Sequence, residues 1–203
     1  MLILYETKYT LLVIEGSVVV ELNNKERQLL EKYSSFLKKN NVSGFFDAIT
    51  KGIASLEEIN HITKFFVENC GVDVLNNISY VSSRMFEAVN IGKELILPER
   101  LKLVAEYGFA KTPIISVASN VPNFIGRIMD HAFDDCNYLK ELYFVIDASK
   151  PVSFGKLCNL RIKDLVVYVK FVDDREDLHN LKNWERYFST AFNYSSVIMR
   201  EWD

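Results

Sequence analysis

The sequence predicts an α+β protein in which an N-terminal β-hairpin and helices pack on a short C-terminal solenoid of about four turns. Three observations predict this fold class: two β-branched apolar runs near the N-terminus, a capped helix near the middle of the chain, and a phenylalanine that recurs in the second half. The change of pattern near position 78 predicts two domains, residues 1–78 and residues 79–203.

The hairpin is predicted by two apolar runs, Tyr9–Ile14 and Val18–Leu22, which are separated by a short segment containing glycine. Runs of this kind around a short turn are typical of paired antiparallel strands. Asn23 or Asn24 can then cap a helix by accepting a hydrogen bond from a backbone N–H. Apolar residues at helical spacing predict that this helix continues to about Asn40.

Two further helices are predicted before the solenoid. Residues 43–50 predict a short helix that buries Phe45, Phe46 and Ile49. Ser55 and Glu58 then form a capping box, and Gly71 stands where a left-handed residue ends many helices. The residues expected on the buried side of this second helix are Leu56, Ile59, Ile62, Phe66 and Cys70.

The second half of the chain repeats a small or unbranched residue followed by phenylalanine. The phenylalanines are Phe86, Phe109, Phe133 and Phe154, at spacings of 23, 24 and 21 residues. A fixed period of about 20–29 residues is typical of leucine-rich solenoids. We therefore expect the four rings to form one stacked column in the core.

The repeat sequence resembles that of a known family. Residues 132–144 read AFDDCNYLKELYF, which closely resembles the repeat of the BspA-type leucine-rich family: Ala-Phe, two variable residues, Cys, two variable residues, Leu, then alternating apolar positions. The other turns match in part through Phe86, Val89, Leu95, Leu97, Pro98, Phe109, Thr112, Ile115, Pro122, Phe154, Leu157 and Leu160. The resemblance covers residues 81–188, about half the chain.

This resemblance implies that each turn contributes one short strand to a narrow parallel sheet. It also implies that a short final helix closes the solenoid, with Leu178, Trp184 and Tyr187 in the places of the family's closing segment. A single turn cannot bury its apolar side alone, so the two ends of the stack need covers. We expect the N-terminal unit to cover the first turn and residues 173–192 to cover the last.

Composition narrows the class of function. A formal net charge of −3 argues against nucleic acid as a partner, since a phosphate-binding surface is usually basic. The N-terminal residues lack the basic start of a signal peptide, and no apolar run is long enough to span a membrane. Three cysteines in apolar surroundings predict reduced thiols and a cytoplasmic protein.

No residue pattern predicts catalysis or a cofactor. The phosphate-binding and nucleophile motifs are absent, so we expect a non-enzymatic protein. Asp130, His131, Asp134, Asp135 and Cys136 resemble a metal cluster only by proximity in sequence. The repeat instead assigns Cys136 to the core and both Asp134 and Asp135 to a solvated bend. Cys136 and Cys158 are expected to stack as thiols, the alternative being a disulfide.

The candidate binding site is the outward side of the predicted strands, because alternation sends every second strand residue away from the core. These residues are Glu94 and Ile96 in the first turn, Ser116 and Ala118 in the second, Glu141 and Tyr143 in the third, and Val166 and Tyr168 in the fourth. Exposed apolar and aromatic side chains suit the centre of a protein interface. The alternative is that the N-terminal unit folds over this face and buries it.

The predicted function is therefore a protein–protein interaction module that recognises a protein partner through the strand face. Two alternatives from other classes remain open. One is a structural component of a larger assembly, for example a virus particle. The other is a small inhibitor that docks on a larger machine.

Overall fold

The chain forms three sheets and three helices of α type in the part that the structure describes. The computed structural model describes residues 3–6, 11–14, 17–33, 46, 50, 54–72, 76, 78–153, 155–193 and 195–202. The predicted fold class is confirmed: helices and an antiparallel sheet precede a β-solenoid of about four turns.

The N-terminal sheet has three antiparallel strands, β1 (Ile3–Glu6), β2 (Leu11–Ile14) and β3 (Ser17–Glu21), in that order. The hairpin predicted from the two apolar runs is confirmed as β2 and β3, with Ile14 opposite Ser17. Strand β1 was not predicted, because its short run is interrupted by an acidic residue. It pairs with β2 along its whole length.

Helix α1 (Asn24–Lys32) begins at the predicted cap. The Asn23 side chain accepts a hydrogen bond from the backbone N–H of Glu26, and the Glu26 carboxylate accepts one from the backbone N–H of Asn23. Two backbone N–H groups at the start of the helix are thereby satisfied. The predicted end near Asn40 was wrong, because the helix stops at Lys32. Tyr33 follows it as the C-cap and is 1% exposed, and residues 34–40 lie outside the described residues.

Helix α2 (Leu56–Cys70) has the predicted capping box between Ser55 and Glu58. Gly71 ends the helix with φ +79° and ψ 177°. The positive φ agrees with the prediction, but the value of ψ is not that of a left-handed helical residue. Leu56 is 47% exposed, which corrects its predicted place on the buried side. Of the predicted helix at 43–50, only Phe46 and Thr50 lie within the described residues, and Phe46 is buried.

Glu58 links α1 to α2. Its carboxylate forms an ion pair with Lys32 at 2.6 Å, and it accepts hydrogen bonds from the Tyr33 hydroxyl at 3.0 Å and the Ser55 N–H at 2.9 Å. The Lys32 ammonium, helped by the Ser55 N–H, lowers the pKa of Glu58 to about 2. Folding therefore favours the charged carboxylate over the protonated acid.

Replacing Glu58 by Gln is expected to lower the free energy of unfolding by about 1 kcal/mol at neutral pH, because Gln can keep the capping hydrogen bond but loses the ion pair with Lys32. Because the folded pKa lies below the ordinary value of 4.5, this stabilisation is complete above that pH and disappears as the pH falls toward 2. Urea unfolding of both proteins from pH 7 to pH 2 measures the difference. The exposed neighbour Glu57, changed to Gln, is the control, and an equal loss in both variants would contradict the assignment.

The solenoid carries a five-stranded parallel sheet, whose strands are β5 (Glu94–Ile96), β7 (Ser116–Ser119), β8 (Glu141–Ile146), β9 (Leu165–Phe171) and β10 (Val197–Glu201). They lie side by side in the order β10–β9–β8–β7–β5. A second, shorter ladder joins β4 (Tyr80–Val81) to β6 (Leu103–Val104), and Ile128 continues it by one bridge. Each turn thus contributes to the main sheet, and the early turns also contribute to the second ladder.

The phenylalanine column is confirmed for the first three turns. Phe86 stacks on Phe109 with ring centroids 5.2 Å apart, and Phe109 stacks on Phe133 at 6.0 Å; all three are fully buried. Phe154 lies outside the described residues. The Phe109 N–H donates to the carbonyl of Ala132, the residue before Phe133, and the Phe133 N–H donates in the same way to the carbonyl of Leu157 in the fourth turn. Cys158, the residue after Leu157, therefore occupies the position in the fourth turn that phenylalanine occupies in the first three.

The corners of the first three turns have left-handed backbone at residues other than glycine. Their φ values are between +56° and +62°, and they recur two residues before and two residues after each phenylalanine. They are Arg84, Ala88, Tyr107, Lys111, His131 and Asp135. Such residues cost about 1–3 kcal/mol each, so stacking must hold them in place.

The N-terminal end of the solenoid contacts helix α2, as expected, whereas the C-terminal end is built differently from the prediction. At the first turn, the Asn60 amide of α2 donates to the carbonyls of Arg84 at 2.9 Å and Glu87 at 3.0 Å. Toward the C-terminal end, helix α3 (Leu181–Ala191) buries Phe188 against Phe144 of the third turn, with centroids 6.4 Å apart.

Helix α3 does not end the sheet, because β10 follows it and pairs in parallel with β9. The closing segment was expected to use Leu178, Trp184 and Tyr187. Trp184 is half-buried, whereas Leu178 and Tyr187 are exposed. The buried apolar side chains, from Leu22 to Val197, form one continuous cluster.

Candidate functional site

The structure brings all eight predicted site residues onto one face of the sheet in two straight rows. Backbone register aligns Glu94 with Ser116, Glu141 and Val166 in the first row, and Ile96 with Ala118, Tyr143 and Tyr168 in the second. The residues between the rows, Leu95, Val117, Leu142 and Val167, are buried in the core. The alternation assumed from the sequence therefore holds across four strands.

This face is open to solvent. Each of the eight side chains is exposed or half-buried, and Ile96 has the highest exposure among the exposed large apolar side chains of the described residues, at 66%. The alternative in which the N-terminal unit buries the face is therefore wrong. Helix α2 instead lies against the first turn through Asn60.

An aromatic cluster occupies the middle of the face. The rings of Tyr143 and Tyr168 stack with centroids 4.5 Å apart and planes within 2° of parallel. Trp202 meets Tyr143 edge-on at 5.7 Å, and the Arg200 guanidinium lies 5.9 Å from the Tyr168 ring centre. Stacked and edge-to-face pairs of this kind hold the side chains in fixed positions.

Strand β10 adds three residues that sequence reasoning missed. Ile198 and Arg200 continue the two rows beside Val166 and Tyr168. The Trp202 N–H donates to the Val169 carbonyl at 2.9 Å, which extends the pairing by one residue. The only signal in the sequence was the short apolar run Val197–Met199, and the expected closing helix suggested that the sheet ended before it.

Two carboxylates stand in the first row, on either side of Ser116. Glu141 accepts a hydrogen bond from the Tyr143 hydroxyl at 3.0 Å, while Glu94 is exposed. Partial burial, together with this bond to Glu141, raises the pKa of Tyr143 to about 12. Tyr143 therefore stays a neutral hydrogen-bond donor throughout the physiological pH range.

The acidic cluster at 130–136 serves structure. Asp134 was expected in a solvated bend, but it is buried because its carboxylate accepts from the Asn159 N–H at 2.7 Å and contacts His131 at 3.0 Å. Asp130 similarly accepts from the Lys156 N–H at 2.9 Å. These bonds join the third turn to the fourth. Within the described residues, no group of three side chains could hold a metal ion.

The thiols of Cys136 and Cys158 are free and buried. Burial raises the pKa of Cys136 above its usual range and that of Cys158 to about 12. Thiols with raised pKa values are poor nucleophiles at neutral pH. The predicted assignment of Cys136 to the core is confirmed, and its Sγ contacts the Thr112 hydroxyl at 3.4 Å.

His179 is half-buried because its ring stacks on Phe171 with centroids 4.1 Å apart. Its Nε2 lies 3.1 Å from Asp173. Burial opposes ionisation of Asp173, but hydrogen bonds from the backbone N–H groups of Arg175 and Ala148, together with His179, keep its pKa below the ordinary value. The pair fixes the segment between β9 and α3.

None of the helices described here is long and apolar enough to cross a bilayer. Comparison with known protein families, with curated proteins and with solved structures gives no match for this chain.

Proposed function

We propose that this protein is a non-enzymatic interaction module that binds a protein partner through the outward face of the solenoid sheet. The observation that carries the proposal is the stacked pair Tyr143 and Tyr168, which stands on an open face in line with the exposed Ile96. Tyrosine combines a large contact area with a polar tip and few rotatable bonds. It is therefore frequent where binding energy is concentrated.

The surroundings of the pair fit a protein interface better than a small-molecule site. The face is an open sheet surface with the aromatic pair near its middle, and its outer strands carry charged groups, including Glu94 and Arg200. Small molecules usually bind in concave pockets, whereas protein interfaces place aromatic residues inside a polar rim. The partner is thus expected to be a folded protein or an extended segment of one.

The test is affinity purification from the native cell with two baits that differ at one position on the face. Ile96→Asp places a charge at an apolar position of the face, where it disturbs the core little because the side chain is 66% exposed. We expect the wild-type bait to retain a protein that the Ile96→Asp bait loses. Met129→Asp, at a 45% exposed position outside the main sheet, is the matched control and should retain it.

Direct titration of the purified partner against the three proteins decides the result. Equal affinity for the wild type and Ile96→Asp would exclude the face as the binding site. A large homo-oligomer in native mass spectrometry, disrupted by Ile96→Asp, would instead identify the partner as a second copy and favour the assembly alternative.

A further inference from the structure

The face contains a slot that follows from the size of the side chains on its second strand. Strand β7 presents the small residues Ser116 and Ala118, which are half-buried between longer side chains on both neighbours. Register places Glu94 and Ile96 on one side, and Glu141 and Tyr143 on the other. A channel one strand wide therefore runs parallel to the strands.

The width of the slot suits one extended side chain. Strands β5 and β8 flank β7, so the backbones that carry the two walls lie about 9–10 Å apart, twice the usual strand spacing. A carbon chain that contacts both walls at about 3.5–4.0 Å needs about 7–8 Å. The slot therefore accepts one unbranched side chain.

The aromatic wall turns the flat face of a ring toward the slot. Tyr143 stacks on its neighbour Tyr168 with nearly parallel planes and a centroid distance close to the strand spacing. Its ring must then stand upright along the strand, and its second face lies toward Ala118. Ile96, 66% exposed, forms the opposite wall.

One end of the slot is negatively charged. Glu94 and Glu141 occupy the same row on either side of Ser116, and neither forms an ion pair with a basic side chain among the described residues. Glu141 is held in place by the Tyr143 hydroxyl at 3.0 Å. The basic residue in the two rows is Arg200, which lies two strands beyond Tyr143 in the second row, where its guanidinium contacts the Tyr168 ring.

The geometry points to a recognition site for a single arginine or lysine side chain of the partner protein, held between Ile96 and Tyr143 above Ala118 with its cationic end between Glu94 and Glu141. This inference rests on the proposed function and names the chemistry of the partner.

A basic side chain satisfies each part of the slot. Its methylene groups contact Ile96 and Ala118, as long charged side chains commonly cover apolar surface with their stems. Its cationic end is attracted by the electron-rich face of Tyr143 and by the two carboxylates. The planar guanidinium of arginine can also lie parallel to the Tyr143 ring, which favours arginine over lysine.

The probe for this site is N-acetyl-arginine methylamide, titrated into the ¹⁵N-labelled full chain while amide chemical shifts are recorded. We expect saturable shifts confined to the amides of residues 94–96, 116–118 and 141–143, with a dissociation constant on the order of 10 mM for so small a ligand. The citrulline derivative has nearly the same shape without the charge and should produce much smaller shifts.

Two variants test the two parts of the slot separately. Glu94→Gln with Glu141→Gln should weaken binding of the arginine derivative about fivefold, as expected for two solvent-exposed charge pairs. Glu176→Gln with Glu185→Gln removes the same charge from exposed positions near the C-terminal helix and should leave binding unchanged. Ala118→Leu fills the slot without changing charge and should abolish the shifts, while circular dichroism verifies that the chain remains folded.

Equal shifts with the arginine and citrulline derivatives, or unchanged binding after Ala118→Leu, would overturn the slot. Either outcome leaves the proposed protein-binding function standing, because that function is tested by the affinity of the protein partner for the Ile96→Asp variant. Loss of the partner in Ile96→Asp together with unchanged partner affinity in Ala118→Leu would show that the face binds protein without using the slot.

Discussion

Truncation of Phe133 to Ala is expected to lower the free energy of unfolding by about 3–5 kcal/mol, the usual effect of emptying a buried phenylalanine site. Phe133 is fully buried, and its ring stacks on Phe109. Rigid neighbours prevent the cavity from collapsing, because the backbone of this turn bonds to the turns on both sides through Phe109 and Leu157. Chemical denaturation of the two proteins at neutral pH measures the difference.

Tyr138→Ala is the matched control for this truncation. Tyr138 belongs to the same turn but is 63% exposed, so its loss should change the free energy of unfolding by less than about 0.5 kcal/mol. Similar losses in the two variants would mean that the stacked column contributes little to stability. The solenoid would then depend mainly on backbone hydrogen bonds between its turns.

The second large effect concerns binding. Replacing Tyr143 and Tyr168 together by Ala should weaken binding of the protein partner by at least about 2 kcal/mol, the usual threshold for a hot spot. Their parallel stack already holds the two rings in place, so ordering them on binding costs little entropy. Isothermal titration calorimetry with the purified partner measures the loss.

In the double variant the free energy of unfolding should fall by less than the free energy of binding, since both side chains are only half-buried. Tyr138→Ala combined with Tyr187→Ala removes two tyrosines that are 63% and 57% exposed outside the sheet, and it should bind normally. Unchanged affinity in the Tyr143/Tyr168 variant would move the binding site off this face. A large loss of stability with intact binding would show that the pair serves the fold.

The sequence predicted which residues of the four strands face outward. In the first three turns phenylalanine spacing and alternation fix the same positions independently, whereas in the fourth turn, where Cys158 takes the phenylalanine place, alternation alone fixes them. A shift of one residue would have turned Leu142 outward and Tyr143 inward, and burial excludes that arrangement. The hairpin and the capped start of α2 were also predicted from local signals. These signals depend on residues close in sequence, which a single sequence displays directly.

The features that were missed depend on contacts between distant residues. Strand β10 becomes a strand by pairing with β9 across the intervening helix α3, and no residue within 197–201 reports that partner. Asp134 is buried because Asn159, in the next turn, supplies a backbone N–H. The left-handed corners escaped prediction because residues such as Tyr107 and Lys111 carry none of the usual glycine or asparagine signal.

The continuous core that runs through all the turns has a consequence for how the molecule comes apart. Each strand of the main sheet pairs only with its immediate neighbours, so the stability of each turn depends mainly on its contacts with the adjacent turns. β7, β8 and β9 each have a neighbouring strand on both sides, whereas the edge strands β5 and β10 each have one in the described sheet. The first turn, which contains β5, is also held by the Asn60 amide of α2, so transient fraying should start at β10 and travel inward. Tyr168 and Tyr143 lie one and two strands from that end. A contact that stabilises β10 against fraying would therefore also lengthen the lifetime of the intact binding face.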